Sequence, residues 1–389
     1  MKRVLILLLV ALMVFTLAAC GGGSSGAADT GSATADADNP AGASGASEEP
    51  AATPVKVGFI YIGAIDDGGY TQAQHAGTEA LKEALGDKVE TAYLEGIDDT
   101  NTQAAQDAAK QLIDQGCSVI IGTSFGFGEG LFELAESGDY DDIIFLHFSG
   151  SNINDTNFGN YFGAMEEPRY LTGIIAGMQT ETNKIGYVAA YPYTEVKIGI
   201  NALALGAQSV NPDATVQVVY INSWYDPAAE KAAAEALLAQ GCDVIAQHAD
   251  TPGPQIAAAS AGKLCIGYNL DNSGLEGLED AFLTAPTWHH DVFLVPTIQA
   301  IIDGTWTPES YYGSLADGYV DLAPLTANVT EEAKAKVAEV RAQFEAGEPV
   351  FVGPIEDNAG NVVVAEGESL DRAGIWSMEY LVKGVTASE

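Results

Sequence analysis

The segments AAKQLIDQGCSVIIGTSFG (residues 108–126) and AEALLAQGCDVIAQHAD (residues 234–250) decide the fold. Each reads as the end of an amphipathic helix, a Gly-Cys turn and a short apolar strand, and aligning them sets Cys117 on Cys242. Working outward, Lys56-Val-Gly-Phe-Ile60 matches Lys184-Ile-Gly-Tyr-Val188, and Val89-Glu-Thr-Ala-Tyr-Leu94 matches Val216-Gln-Val-Val-Tyr-Ile221. The offsets of 128, 127 and 125 residues are nearly constant over three ordered segments, the mark of a duplicated unit. In the first copy the pattern predicts strands over Val57–Ile62, Val89–Leu94 and Ser118–Ile121, with helices over Gln74–Leu85 and Thr102–Gln115. Short β-rich runs alternating with helical runs predict an α/β protein with two doubly wound, parallel-sheet lobes.

In open parallel sheets ligands sit beyond the carboxyl ends of the strands. The segments that follow strands are Gly63–Thr71, Glu95–Thr100, Thr123–Gly128 and Phe148–Asn154 in the first copy. Their counterparts are Ala190–Val196, Asn222–Asp226, Gln247–Pro254 and Tyr268–Ser273. With the lobes face to face, all eight would line one cleft, a usual place for a small-molecule site. Several carry rings: Tyr70 in a Gly-rich turn, Phe125 and Phe127, and Trp224 with Tyr225. Such rings can stack on a flat ligand. Asp66, Asp67, Asp250, Asn269 and Asp271 offer hydrogen-bonding groups, whereas Asp99 and Asp226 precede helices and are expected to be N-caps. No Lys or Arg falls in the eight loops, with Arg169 and Lys197 nearby, so a phosphate or carboxylate on a ligand would lack a counter-charge.

Gly122-Thr-Ser124-Phe-Gly126 fits G-x-S-x-G and keeps a secreted serine hydrolase using Ser124 open as an alternative. Against it, the second copy carries Gln247-His248-Ala249-Asp250 at the matched position, and no HGGG-type oxyanion segment is present. The five histidines show no H-E-x-x-H spacing and the cysteines no C-x-x-C, so neither a metal nor another cofactor is expected. The 389 residues contain 54 Asp+Glu against 16 Lys+Arg, a formal net charge of −38, which excludes nucleic acid as a partner.

At the N-terminus, basic Lys2 and Arg3 precede an apolar run of 13 residues, Val4–Thr16, shorter than the roughly 20 residues a bilayer span needs. It ends in Leu17-Ala18-Ala19-Cys20, which resembles the bacterial lipobox, in which the cysteine is lipidated. Residues 21–53 lack aromatic and basic side chains and large aliphatics, the composition of a disordered tether.

With this N-terminus, the opening KVGFIYIGAIDDGGYTQAQHAGTEAL, the later TSFGFGEG, GAQSVNP, SWYDPAAE, DVIAQHAD and IIDGTW, in this order, resemble the basic-membrane-protein, purine nucleoside receptor-like family. These are substrate-binding lipoproteins of ABC transporters. The resemblance implies a type I periplasmic-binding-protein fold, with two lobes joined by three hinge crossings and a purine base or nucleoside held between them. It implies a division into signal peptide (1–20), tether (21–53), lobe one (54–165 plus 286–320) and lobe two (166–285 plus 321–389). The crossings would fall near Gly163–Glu167, Thr284–Trp288 and Gly318–Pro324.

The family's D-x-S-F turn reads Asp67-Gly-Gly-Tyr70 here, with Tyr in place of Phe. The resemblance assigns the purine edge to Asp66 and Asp67, ring stacking to Tyr70, Phe125 and Trp224, and ribose hydroxyls to the loop Asn269-Leu-Asp271. Family members that take nucleosides also use a Lys after the next strand, and Leu283–His290 has none, which favours a free base. The expected ligand-binding set is therefore Asp66, Asp67, Tyr70, Ser124, Phe125, Gly126, Trp224, Tyr225, Asp250, Asn269, Asp271 and Trp288. The expected partners are the purine, the permease subunits and, through Cys20, the membrane on its extracytoplasmic face; a sugar-binding or sensory receptor of the same fold is the alternative.

One covalent lipid site is the only anchor in this reading. Cys20→Ser is expected to move the protein from the membrane pellet to the soluble fraction; retention in the pellet would require another anchor.

Overall fold

The computed structural model describes residues 53–388. The signal peptide, Cys20 and all but the last tether residue lie outside the described residues. Strand β1 (Val55–Ile60) leads into helix α1 (Tyr70–Leu85), β2 (Val89–Leu94), α2 (Thr102–Asp114), β3 (Val119–Gly122), α3 (Gly128–Glu136), β4 (Ile144–Phe148) and β5 (Phe158–Gly163). The second run is α4 (Glu166–Gln179), β6 (Lys184–Ala189), α5 (Thr194–Val210), β7 (Thr215–Tyr220), α6 (Pro227–Ala239), β8 (Val244–His248), α7 (Gly253–Ser260) and β9 (Leu264–Cys265). Next come β10 (Pro286–Trp288), α8 (Asp291–Ile302), β11 (Ser310–Gly313), β12 (Val320–Leu322) and α9 (Glu331–Glu345). A hairpin of β13 (Ile355–Glu356) and β14 (Val362–Val364), the short α10 (Arg372–Trp376) and β15 (Val385–Ser388) complete the chain.

The first sheet runs β11-β5-β4-β3-β1-β2 and the second β15-β7-β6-β8-β9. All of their pairings are parallel. The repeat is visible in the strand order: β2-β1-β3-β4 in one sheet corresponds to β7-β6-β8-β9 in the other. Central strands β3 and β8 are buried throughout, as expected for strands covered by helices on both faces.

Helix α1 begins at Tyr70, four residues before the expected Gln74, because the Asp67 carboxylate caps it. That carboxylate accepts the N–H groups of Gly69, Thr71 and Gln72 at 2.9–3.0 Å. Asp226 caps α6 as expected, accepting from Ala228 and Ala229. Asp99 does not cap α2. Asn101, two residues nearer the helix, accepts from Gln103 and Ala104 in its place.

The chain passes between the sheets at three places. Gly163, ending β5, is followed within three residues by α4, which packs along α5 beside the second sheet. The other two passages are β10 and β12, which pair antiparallel through Pro286–Leu322 and Trp288–Val320. Two of the three connections are thus one hydrogen-bonded ribbon. Among the described residues no helix is long and apolar enough to cross a membrane.

Helices α4 and α5 meet through glycine on both sides. A Cβ on Gly206 would lie 2.1 Å from the Tyr170 carbonyl oxygen, and one on Gly173 would lie 2.1 Å from that of Leu203. Alanine at an open helical site would gain about 1 kcal/mol of helix propensity, but here the helices must separate, at a cost of about 1–3 kcal/mol for overpacking. Gly206→Ala is therefore expected to lower the melting temperature; an unchanged or raised value would show that the helices can part freely.

Candidate functional site

The carboxyl ends of the two sheets face each other across a narrow cavity. The side of the first sheet supplies Ile62, Tyr70, Ser124, Phe125, Phe148, Ser149 and Phe162; the other supplies Glu195, Trp224, His248, Asp250 and Tyr268, with Trp288 from the β10 passage. Each position follows from the topology. Ser124 and Phe125 follow β3, Phe148 and Ser149 end β4, Glu195 opens α5, and His248 and Asp250 end β8.

Rings form much of the wall. Phe148, Phe162 and Trp288 pack together at centroid distances of 4.9–5.2 Å. Opposite them, His248 lies 4.7 Å from Tyr268 and 6.2 Å from Trp224. At the mouth, half-exposed Phe125 meets Tyr193 of the other lobe at 6.1 Å, and Tyr193 stacks on Tyr191 at 4.9 Å.

The polar groups are acidic, hydroxyl or imidazole, and no Lys or Arg lines the cavity. Glu195 accepts the Ser149 hydroxyl at 2.8 Å, a hydrogen bond between the two sides. Burial pushes the Glu195 carboxyl up to about 7 against the Ser149 bond, with nearby Asp99 adding to the rise. Asp250 is raised well above the usual carboxylate range by burial and by Glu230, Asp67, Asp99 and Glu195. Glu230 anchors the Asp250 loop, accepting the Thr251 N–H and hydroxyl at 3.0 and 2.8 Å. Tyr70 donates its hydroxyl to the Thr123 carbonyl and accepts from Gln74.

The sides touch closely at two more points. Asn272 Nδ2 donates to the Gly68 carbonyl at 3.3 Å. A Cβ on Gly69 would fall 1.7 Å from the Asp250 carbonyl oxygen, so only glycine allows this approach.

Of the expected residues, Tyr70, Ser124, Phe125, Trp224, Asp250 and Trp288 line the cavity. The other six do not, each for a local reason. Asp66 is exposed, and Asp67 is occupied in capping α1. Tyr225 is exposed and borders a separate groove with Asp67, Pro252 and Ile256. Gly126 turns against the backbone of Asp99, where a Cβ would lie 1.9 Å from the carbonyl oxygen. Asn269 is buried behind the lining and accepts Trp288 Nε1–H at 3.0 Å. Exposed Asp271 accepts the Ser273 N–H in its own turn. The lining residues not singled out from sequence are Ile62, Phe148, Ser149, Phe162, Glu195, His248 and Tyr268. Most lie in the post-strand segments defined by the repeat, which was the available signal; Phe162 lies within a strand and carried none.

Ser124 has no imidazole at its hydroxyl. The hydroxyl donates to Asp99 at 2.6 Å, while His147 Nε2 meets the Ser124 main-chain oxygen at 2.9 Å. Among the described residues no group of three His, Cys, Asp or Glu side chains could hold a metal ion. Cys117, Cys242 and Cys265 are free and buried.

Residues 54–347 match the model of the ABC transporter substrate-binding protein, PnrA-like, family. The chain belongs to the PnrA-like substrate-binding proteins of ABC transporters. A Haloferax volcanii protein with the provisional name of ABC transporter glucose-binding protein is 38% identical over 75% of this chain and 72% of its own length. A purine-binding protein of Brucella abortus is 35% identical over 85% of this chain and 93% of its own length. Two solved ABC transporter solute-binding proteins share the fold. The one from Aeropyrum pernix has a TM-score of 0.66 at 18% identity, covering 77% of this chain and 94% of that one. The one from Conexibacter woesei has 0.62 at 20%, covering 75% and 97%. Family members are extracytoplasmic, non-enzymatic receptors that bind small molecules and deliver them to permease components.

A carboxyl whose folded-state value lies above its unfolded value stabilises the fold while protonated. That contribution is complete below about 4.5 and is lost as pH rises through about 7. Glu166 and Glu230, also raised to about 7 by burial, act in the same direction. The ligand-free melting temperature is expected to fall from pH 5 to pH 8, and to fall less in Glu195→Gln, which keeps a partner for Ser149. An identical fall in the variant would mean that Glu195 is charged throughout.

Proposed function

We propose that this receptor captures a neutral purine, a free base in preference to a nucleoside, between its lobes and passes it to the permease, while Cys20 ties it to the outer face of the membrane. The observation that carries the purine reading is the composition of the cavity wall: rings from both sides of the cleft, together with Asp250, Glu195 and two serines, and no cation. Rings offer both faces of a flat heterocycle large apolar contact, and carboxyl oxygens accept its N–H groups. Asp250 takes the role of edge acceptor that the family resemblance would give to Asp66 and Asp67, since both of those stand outside the cavity. Of the rings expected to stack, Tyr70, Phe125 and Trp224 all line it. The preference for a free base rests on the absence of lysine from Leu283–His290.

A hexose is the second reading. The name of the Haloferax volcanii relative favours it, and sugar sites also combine aromatic faces with acidic acceptors. Calorimetry with adenine, hypoxanthine, guanine, adenosine, glucose and ribose, together with native mass spectrometry of the purified protein, separates the two. Saturable binding of a base is expected; glucose binding without purine binding would overturn the purine reading.

Trp224 fronts the cavity from the second lobe while remaining half-buried. Trp224→Ala is expected to weaken binding by about 1–3 kcal/mol, the scale of losing one base–aromatic stack. The ligand-free melting temperature should be nearly unchanged. A large drop in that temperature would instead mean that the ring serves the core.

A further inference from the structure

His248, at the end of β8, stands between the cavity and a buried polar cluster beneath it. Arg169 of α4 is fully buried, and its Nη1 donates to the Gln247 carbonyl at 2.6 Å. Among the described residues its Nε and Nη2 have no hydrogen-bond partner, and neither do Tyr187 Oη of β6 or His248 Nδ1. These orphans converge. A Cβ placed on Gly199 of α5 would lie 3.2 Å from Tyr187 Oη, 3.3 Å from His248 Nδ1 and 3.5 Å from Arg169 Nε. Three unpartnered atoms from three elements therefore share one small space, kept open because residue 199 has no side chain.

The hydrogen inventory of that space selects a tautomer. Arg169 Nε can only donate, the Tyr187 hydroxyl can donate and accept, and Nδ1 does one or the other. With a hydrogen on Nδ1, Arg169 and His248 would both have only the Tyr187 oxygen to donate to, and the tyrosine's own hydrogen would find no acceptor. With Nδ1 bare, a small side-chain shift would let Tyr187 O–H donate to Nδ1 and Arg169 Nε–H donate to the Tyr187 oxygen, satisfying all three atoms that share the space. Leaving a buried donor unsatisfied is costly enough to decide between two otherwise similar tautomers. The guanidinium, 3.9 Å over the face of Tyr268, also favours a lone pair over an N–H on the nitrogen turned toward it.

The other nitrogen, Nε2, is left for the cavity that His248 lines. We propose that Arg169 positions His248 as a neutral ring with its hydrogen on Nε2, so that His248 donates one hydrogen bond to the ligand, which carries an acceptor, a ring nitrogen or carbonyl oxygen, facing the second lobe. This rests on the reading that the cavity holds the transported small molecule. The groups facing the ring are Arg169, Tyr187, Tyr268 and Trp224, with Asp250 and Glu195 on the same side of the cavity. Burial, then Arg169, holds His248 well below its usual range, and burial favours the neutral form of both carboxyls, so neither draws a second proton onto the ring. His248 would be the cavity's donor beside its carboxyl acceptors, a residue that selects for where a ligand's own acceptor lies.

Long-range proton–nitrogen NMR of the ¹⁵N-labelled, ligand-free protein from pH 5.5 to 8 reads the ring directly. The expected spectrum is Nε2-protonated and neutral throughout, and Arg169→Met should bring back Nδ1–H or titration. An Nδ1–H or imidazolium signal in the wild-type protein overturns the proposal, even where the arginine variant fails to fold. The binding arm uses whichever purine or sugar above binds the wild type. His248→Leu should lose about tenfold or more and His248→Gln, which retains an N–H, much less; undiminished binding in His248→Leu overturns the donor role. The expected tautomer accompanied by sugar rather than purine binding counts against the purine reading alone.

Discussion

Asp250 and Glu195 line a cleft that contains no lysine or arginine, with Asp99 just behind Ser124, so each carboxyl must be carried by hydrogen bonds or by its own proton. Asp99 takes the Ser124 hydroxyl and Glu195 takes that of Ser149. Asp250 has no side-chain partner among the described residues, and burial favours its protonated form. The loops around them are built to hold this arrangement. Glu230 fixes the segment containing Asp250, and Gly69 lets the facing turn approach its backbone. A cleft of this kind is costly to leave empty of donors, because a buried ionised carboxyl without a partner is strongly unfavourable. A ligand that brings N–H groups relieves that cost, which couples occupancy to the ionisation of the site.

The repeat explains why the architecture was readable from sequence and half of the site was not. Two copies of a helix–turn–strand pattern at constant offset fix the strand order of each sheet, since each copy must cover its own strands with its own helices. They also fix which loops share an end. They do not fix which side chain in a loop turns inward. Asp67 is diverted to the N-terminus of α1, Asp271 into its own turn, and Asn269 to the indole of Trp288. Each of these polar side chains found a local backbone or indole donor first, the usual competition between short polar residues and a ligand. Glu195 and His248 had no such local partner and so face the cleft, but a glutamate at the first turn of a helix reads in sequence as a dipole-favoured surface residue.

The contacts across the cleft include two hydrogen bonds and the Phe125–Tyr193 ring pair, and the connections between the sheets are narrow. Ser149–Glu195 and Asn272–Gly68 are single hydrogen bonds, each of about 0.5–1.5 kcal/mol net. Two of the three passages are the antiparallel β10–β12 ribbon, which can twist without breaking either sheet. A molecule that touches both sides in a closed state supplies the differential affinity that would shift the population toward it.

Net charge completes the argument on selectivity. At −38 the molecule repels anions at long range, and the cleft offers them no cation at close range. Arg169 does not remedy this, because its guanidinium is buried behind Tyr268 with one N–H already committed to Gln247. A phosphate or carboxylate entering the cavity would be desolvated beside Asp250 and Glu195 with nothing to neutralise it. A neutral heterocycle meets no such barrier, and its N–H groups find acceptors whose own protons can leave as it binds. Discrimination against phosphorylated relatives of the ligand therefore needs no clash; it follows from placing carboxyls, one neutral imidazole and aromatic rings where a phosphate site would place arginine.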